Sequence, residues 1–343
     1  MMFLVRSVCL FYIGLLLPFT VYGDVNLYGA VRMSVDVIDD SSQRNTGISS
    51  NLSHFGIKGN HKISDSLQGE FKIEMGFDAS GETGDLPARW RYLGIKGHVG
   101  SLRVGNLPTP FRILGRFFDE FPETIAENRG VLGLSASGAP KYDLWSANTV
   151  NYTSPNKNGL QAIVSYSSAY KGGSTPTGMD DNDQSMSGLN IHYADKRRHI
   201  RVAYETHEED NSNGIRIAAR YRFAETRLGF VYESIDAGLA NKLTRDAYGF
   251  NVAHSINEMT YKTQLLIAND YEGQSDSGAT NVNVGAFKKL DKHMALYVVY
   301  ATTRNDKNAK YTVASAGHNG DLIRPAVSGD DIEAISIGGA YSF

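Results

Sequence analysis

Apolar and polar residues alternate along most of the chain from Asp24 onward. In the first stretch the odd positions from Val25 to Val37 are apolar apart from Gly29, whereas the even positions carry polar or small residues such as Arg32. Successive residues of a strand point to opposite faces, so this pattern predicts a strand with one apolar and one polar face. The stretch exceeds the ~9–11 residues that a tilted strand needs to cross a bilayer. Sixteen stretches of this kind can be counted up to the carboxy terminus.

The connections between these stretches alternate in length. Seven are short, near residues 64–66, 98–100, 154–158, 195–196, 224–225, 255–257 and 290–292. Eight are longer and polar, near residues 38–50, 78–87, 107–144, 171–184, 207–213, 235–244, 270–279 and 304–330. Short turns at one end and long loops at the other are typical of an up-and-down meander.

The pattern therefore predicts an all-β fold, a 16-stranded antiparallel up-and-down transmembrane β-barrel. A soluble β-sandwich would also alternate, but long strands, charge on the polar faces and aromatic residues near the strand ends favour the membrane barrel. Closure is expected because an open sheet edge in hydrocarbon would leave backbone N–H and C=O groups unpaired, at several kcal/mol each.

The first 23 residues have the order of a secretory signal peptide. A short segment carrying Arg6 precedes an apolar run over residues 9–17, and small residues lead to Gly23. The apolar run is shorter than the ~20 residues of a spanning helix, which argues against a membrane anchor. We therefore expect residues 1–23 to be a cleaved signal and residues 24–343 to form the exported barrel. The single cysteine, Cys9, lies in the signal, so no disulfide is expected.

Composition excludes several function classes. The 34 basic and 37 acidic residues give a formal charge of −3, which offers no support for a nucleic-acid partner. The nine histidines are scattered, and neither G-x-S-x-G nor H-E-x-x-H occurs, so we expect no enzyme, no cofactor and no catalytic metal. Asp180, Asp181 and Asp183 offer carboxylates to a divalent cation, or to lipopolysaccharide through one, although acidic loops are more often simply solvated.

The connection over residues 107–144, here called the constriction segment, is far longer than ordinary loops in compact domains. It shows no sustained period of 2 or 3.6 and mixes large apolar residues such as Phe111, Ile113, Leu114, Phe117, Phe118 and Phe121 with acids. Such a composition argues against disorder and predicts a segment that packs on one side and presents carboxylates on the other. The candidate acids lie close together, at Asp119, Glu120, Glu123 and Glu127.

The chain resembles the general-diffusion porins of Gram-negative outer membranes, in particular their neisserial-type branch. The resemblance is carried by Asp-Val-Asn-Leu-Tyr-Gly at 24–29, Ser-His-Phe-Gly-Ile-Lys-Gly at 53–59, Leu-Gly-Ile-Lys-Gly at 93–97, Ser-Leu-Arg-Val-Gly at 101–105 and the terminal Ala-Tyr-Ser-Phe. It implies that the third external loop, residues 107–144, folds into the barrel. Asp119 and Glu123 match the acids that line the family's constriction.

The resemblance also implies a basic wall opposite these acids. Strand parity nominates six residues for the basic wall: Arg32, His54, Lys58, Lys72, Arg89 and Arg91. His54 stands where the family usually has arginine, which would make that position pH-sensitive. Tyr341 and Phe343 resemble the terminal signal for outer-membrane assembly. The family further implies a homotrimer, contact with outer-membrane lipid and lipopolysaccharide, and insertion by the assembly machinery.

We therefore expect an outer-membrane porin that passes ions and small hydrophilic solutes through a water-filled channel with a charged constriction. A substrate-selective channel is the main alternative. Sugar selectivity would require lumen-facing aromatic residues, for which only Tyr28 and Tyr297 offer support, and anion selectivity would require a constriction without acids. A third reading, an adhesin or structural barrel, would have a plugged lumen.

Overall fold

The computed structural model describes residues 24–133, 142–171, 184–238, 243–314, 325 and 327–343. The expected signal peptide and the acidic residues Asp180, Asp181 and Asp183 lie outside these residues. No helix within these ranges is both long and apolar enough to cross a membrane.

Seventeen antiparallel strands in the described residues form one sheet. They are β1 Asp24–Asp39, β2 Arg44–Ser50, β3 His54–Ser64, β4 Leu67–Gly76, β5 Ala88–Gly97, β6 Gly100–Pro108, β7 Trp145–Thr153, β8 Leu160–Ser167, β9 Met186–Ala194, β10 Arg198–His207, β11 Ser212–Phe223, β12 Thr226–Asp236, β13 Thr244–Ile256, β14 Met259–Ala268, β15 Ala279–Lys289, β16 Met294–Asn305 and β17 Ile332–Ser342. Three short helices accompany them: α1 Pro110–Phe118 and the 3-10 turns Asn128–Gly130 and Glu208–Asp210.

The sheet closes on itself because β17 pairs with β1, from Ala30 opposite Ser342 to Asp39 opposite Glu333. Both β2 and β3 pair with β1, so together they occupy one position and the described cylinder has sixteen. The predicted 16-stranded antiparallel barrel is confirmed.

Residues 44–50 correct the predicted strand map, which placed them in a loop. They continue the β3 position after a break at residues 51–53, where Leu52 has a positive φ of 57°. The backbone amide of Asn51 donates to Arg32 O at 2.9 Å, and the amide of Arg32 donates to Ser53 Oγ at 2.9 Å. A β-bulge of this kind keeps the ladder bonded while it bends the strand.

The two faces of the cylinder differ as the alternation predicts. Apolar side chains lie exposed on one face, including Leu27 at 66%, Leu93 at 71% and Ile337 at 64%. So large an apolar surface would be untenable in water and indicates contact with lipid. The other face carries charged side chains and lies inside.

On β5 the predicted assignment of faces is wrong. Arg91 lies opposite the exposed Ile73, in the same register as Leu93 opposite Phe71, and the pairing of β4 with β5 shifts only beyond this pair, between Ile73 and Met75. Tyr92 pairs with Lys72, and the Tyr92 ring centroid lies 5.1 Å from the guanidinium of Arg103, so Tyr92 takes the inner face instead. Paired residues share a face, so Arg91 lies on the outer face and does not belong to the basic wall.

Candidate functional site

The constriction segment opens with helix α1, which the sequence analysis missed. Thr109 caps it, its side chain accepting from the amide of Arg112 at 3.2 Å, and Pro110 stands in the first turn. A Thr-Pro pair is a strong helix-start signal. Phe111, Leu114 and Phe118 then form one buried face of the helix.

The apolar face of α1 packs on small residues of the inner wall. Phe111, Leu114 and Phe118 join a buried cluster that contains Ala203 of β10 and Ala218 of β11. Burying each large side chain stabilises the packed segment by roughly 1.5–3 kcal/mol. Small wall residues leave the space that the helix occupies, so the sequence of the strands and that of the segment are complementary.

A buried charge cluster fastens the carboxy-terminal part of the segment to the wall. Arg216 of β11 donates to Asp143 Oδ1 and Oδ2, both at 2.8 Å, and its Nε donates to Glu233 at 2.8 Å. Glu233 also accepts from the amide of Gly133 at 3.0 Å and from Arg245 Nη2 at 2.5 Å. Neither arginine nor Glu233 is exposed, so each charge depends on its partners for compensation.

The middle of the segment is held by four consecutive strands, β11 to β14. Glu120 is ion-paired with Arg220, at 2.9 Å, and with Arg227, whose Nε donates at 2.7 Å. Lys262 Nζ donates to the backbone oxygen of Glu120 at 2.7 Å, and Asn251 Nδ2 to that of Phe118 at 2.8 Å.

The tip of the segment reaches the opposite wall. Glu123 Oε2 lies 2.9 Å from Arg32 Nε on β1, and its other oxygen lies 3.0 Å from Arg116 and 3.9 Å from Arg89 of β5. Glu123 itself has a φ of 61°, a strained conformation that costs on the order of 1–3 kcal/mol and that these ion pairs offset. A segment that contacts β1, β5, β11 and β14 of one closed cylinder lies inside it.

Three of the remaining basic-wall residues lie around an acid that the sequence analysis missed. Glu74 lies 2.6 Å from Arg89 Nε and 3.1 Å from Lys72 Nζ, and it accepts from the hydroxyl of Tyr28 at 2.7 Å. Lys58 Nζ lies 5.0 Å from the Tyr28 ring centroid. Glu74 therefore joins the side chains of β1, β4 and β5 into one network.

His54 lies within hydrogen-bond distance of Arg32. Its Nδ1 lies 3.1 Å from Arg32 Nη1 and 3.2 Å from the backbone oxygen of Leu52. With Nδ1 unprotonated the ring accepts from Arg32 Nη1, whereas an Nδ1–H can donate only to the backbone oxygen of Leu52, so protonation of His54 would add charge beside Arg32.

Asp119 and Glu127 lie within the fold of the segment and not on a lumen wall. Asp119 accepts from the amides of Phe121 at 3.0 Å and Asn128 at 3.3 Å, and Glu127 pairs with Arg129 at 2.9 Å. Burial, followed by the Glu127 charge, raises the pKa of Asp119 to about 7. Asp119 was predicted to line the constriction; the structure gives it an internal folding role.

The raised pKa predicts a pH dependence of the packed segment. Because the pKa of Asp119 rises from 3.8 to about 7 on packing, its stabilising contribution is full below about pH 4 and is lost as the pH rises through 7. We expect current fluctuations in single-channel recordings to become more frequent from pH 5 to pH 8, because the packing of the segment weakens. Asp119→Asn should flatten this trend; an identical trend in that variant would contradict the assignment.

Several arginines of the site look unremarkable in sequence. Arg216, Arg220 and Arg227 read as charged residues on the polar faces of strands, which are usually solvated. The acids of the constriction segment were the one sequence signal for these arginines, because carboxylates in an inward-folded loop require cationic partners on the wall that they approach.

Comparisons with known proteins agree with this architecture. A family model described as Gram-negative porin matches residues 18–308, most of the chain. The major outer membrane protein P.IB of Neisseria meningitidis serogroup B is 24% identical over 334 residues, covering 88% of this chain and 94% of that protein. P.IB of Neisseria gonorrhoeae is 25% identical over 167 residues, covering 46% and 47%.

Solved structures share the fold at low identity. The anion-selective porin from Comamonas acidovorans superposes with a TM-score of 0.77 at 18% identity, covering 94% of this chain and 100% of that one. OmpF of Salmonella typhi, in complex with daunomycin, gives a TM-score of 0.70 at 16% identity, covering 94% and 98%. OmpT of Vibrio cholerae in its trimer form gives 0.69 at 17% identity, covering 94% and 99%.

A closed barrel with an apolar exterior and a charged interior defines a membrane channel, and the chain belongs to the Gram-negative porin family. It is an outer-membrane porin for passive diffusion, and its sequence relatives confirm the expected neisserial-type resemblance.

Proposed function

We propose that the channel passes small anions in preference to cations. The observation that carries this proposal is an asymmetry of exposure: the acids of the constriction segment are buried against basic partners, whereas several of those partners remain open to the lumen. The side chains of Glu120 and Glu123 are 2% and 8% exposed, against 42% for Arg116 and 30% for Arg227. A solute therefore meets cationic groups first.

Two further cations on the inner faces strengthen the positive field. Among the described residues, no carboxylate lies within 4.0 Å of Arg201 or Lys262, although each has other contacts. Arg201 Nε donates to His199 at 3.2 Å and its guanidinium lies 4.8 Å from the Phe117 ring centroid. The acids that argued against anion preference in the sequence are neutralised by their partners, so that objection loses its force.

The fold neighbour from Comamonas acidovorans is described as an anion-selective porin. At 18% identity the likeness concerns the fold alone, and it adds only that this architecture is compatible with anion preference. Sugar selectivity gains less support, because cations lie over the inner-face aromatic rings. Lys72 lies 4.8 Å from the Trp90 ring centroid and Arg89 lies 5.6 Å from that of Trp145.

The test is the reversal potential of the purified porin in a planar bilayer under a KCl gradient. We expect a sign that reports chloride preference. Arg116→Glu, which reverses the most exposed charge named above, should reduce the chloride-to-potassium permeability ratio severalfold. Arg198→Glu is the matched control, since Arg198 is 61% exposed beside the short turn near Asp195 and should leave the ratio unchanged. Cation preference in the unmodified channel would overturn the proposal.

The same proposal assigns the remaining roles. Glu123 pins the tip of the constriction segment to Arg32, and Glu120 pins its middle, so that the segment narrows the lumen. The mature protein is a homotrimer, as trimeric neighbours such as OmpT suggest. Residues 1–23 are removed on export, Tyr341 and Phe343 are read by the assembly machinery, and the outer ends contact lipopolysaccharide. The protein carries out diffusion and no catalysis.

A further inference from the structure

A cavity of about 500 Å³ lies beside the constriction segment, bordered by the β2–β3 break and the β4–β5 connection. Ligand-binding pockets commonly have volumes of about 300–1,000 Å³, with mainly apolar linings and a few placed polar groups. The cavity has both kinds of lining. Its large apolar residues are Leu52, Phe77, Pro87 and Trp145, and its arginines are Arg89, Arg112 and Arg129.

Arg112 stands apart from the other two arginines. Arg89 is paired with Glu74 at 2.6 Å and Arg129 with Glu127 at 2.9 Å. Arg112 is only 3% exposed, yet among the described residues no carboxylate lies within 4.0 Å of its guanidinium. Its charge is therefore buried without an ion-pair partner in that part of the chain.

The hydrogen bonds of Arg112 are also incomplete. Its Nη1 donates to the backbone oxygen of Asp143, and its guanidinium carbon lies 5.0 Å from the Trp145 ring centroid. Its Nε is buried and has no hydrogen-bond partner within the residues that the structure describes. Burial, and then the charges of Arg129 and Arg116, lower the pKa of Arg112 to about 9. An anion beside Nε would satisfy this donor and compensate the charge.

The rest of the lining restricts the kind of anion. Asp78, Glu82 and Asp85 line the cavity as well. Asp78 is engaged by its own loop, accepting from the amides of Ser80 and Thr83, both at 2.9 Å. These three carboxylates disfavour anions that carry several negative charges, and the apolar residues favour a solute with a hydrophobic body.

We propose that this cavity binds small monocarboxylates with an apolar, ring-sized body. The carboxylate lies against Arg112 and the body against Phe77, Pro87 and Trp145. The site is distinct from the proposed ion preference, which depends on exposed charge along the lumen and not on retention of a solute.

The experiment is titration calorimetry of the folded porin in detergent micelles with sodium benzoate as the probe. We expect saturable binding of benzoate. Binding should be at least about tenfold weaker for acetate, which lacks the ring, for benzamide, which lacks the charge, and for inorganic phosphate, which lacks the apolar body. Arg112→Gln should weaken benzoate binding at least about tenfold, as expected for loss of a charge-assisted hydrogen bond. Quenching of tryptophan fluorescence should follow the same curve because Trp145 borders the site.

Two more variants separate binding from folding. Ala88 lines the cavity, and its methyl side chain forms no hydrogen bond with Arg112. Ala88→Phe should therefore fill the space and abolish benzoate binding, while conductance and chloride preference stay unchanged. Arg44→Gln, at an exposed arginine of β2, should bind benzoate like the unmodified protein. Absence of saturable binding, equal affinity for phosphate, or unchanged affinity in Arg112→Gln or Ala88→Phe would overturn the proposal.

Discussion

Replacing Arg216 with Met is expected to free the constriction segment from the barrel wall. The substitution leaves the carboxylates of Asp143 and Glu233 buried without their main partner, and removing one member of a buried ion pair costs about 3–5 kcal/mol. The segment can avoid much of that cost by leaving the wall. Asp143 and Gly133, whose amide donates to Glu233, both belong to the segment and would move away with it. We expect a larger single-channel conductance with frequent fluctuations.

Planar-bilayer recording and the thermal unfolding of the folded barrel measure the two consequences. Arg222→Met is the matched control: Arg222 lies on the same strand and shares the parity of Arg216, but its side chain is exposed. It should conduct like the unmodified channel. Steady conductance of normal size in Arg216→Met would show that the apolar packing of α1 holds the segment without the charge cluster.

Deleting Phe343 is expected to reduce the amount of folded protein in the outer membrane many-fold. The backbone N–H and C=O of Phe343 pair with those of Gly29, each at 3.1 Å, at the seam where the last strand meets the first. Its ring lies over Gly29, where an added Cβ would come within 2.6 Å of the ring. The deletion removes both contacts and also the terminal aromatic residue that resembles an assembly signal.

Heat-modifiable mobility of outer-membrane fractions measures the folded amount. Phe343→Tyr should assemble normally because it retains a terminal aromatic ring and the backbone pairing. Refolding of the purified deletion variant into detergent separates the two causes. Normal refolding would assign the defect to recognition by the assembly machinery, and failed refolding would assign it to the seam. Normal levels of the deletion variant in cells would contradict both.

The strand map shows how far local pattern carries. Period-2 alternation depends only on neighbours along the chain, so it located all sixteen positions, and most of their faces, without knowledge of pairing. It failed at residues 44–50, which extend the β3 position across a bulge, and on β5, where the register irregularity with β4 breaks the alternation so that Arg89 meets Glu74 inside although Arg91 faces outward. A one-residue slip reverses every side chain beyond it.

The constriction segment shows the complementary limit. Its length, its acids and its aromatic residues marked it as functional, and Thr109 and Pro110 could have indicated α1. Nothing local, however, distinguishes Asp119, which folds inward on its own segment, from Glu123, which reaches Arg32.

The sequence by itself determined a closed, lipid-facing barrel of sixteen positions and an acidic segment too apolar to remain in water, because alternation and composition are properties of neighbouring residues. Only the tertiary structure decided which charges meet. Closure brings Glu120 to Arg227 and Asp143 to Arg216 across long stretches of chain, and these pairings decide which charges are buried and which face the solute. Ion pairs form between side chains within about 4 Å, and that proximity exists only after the cylinder has closed.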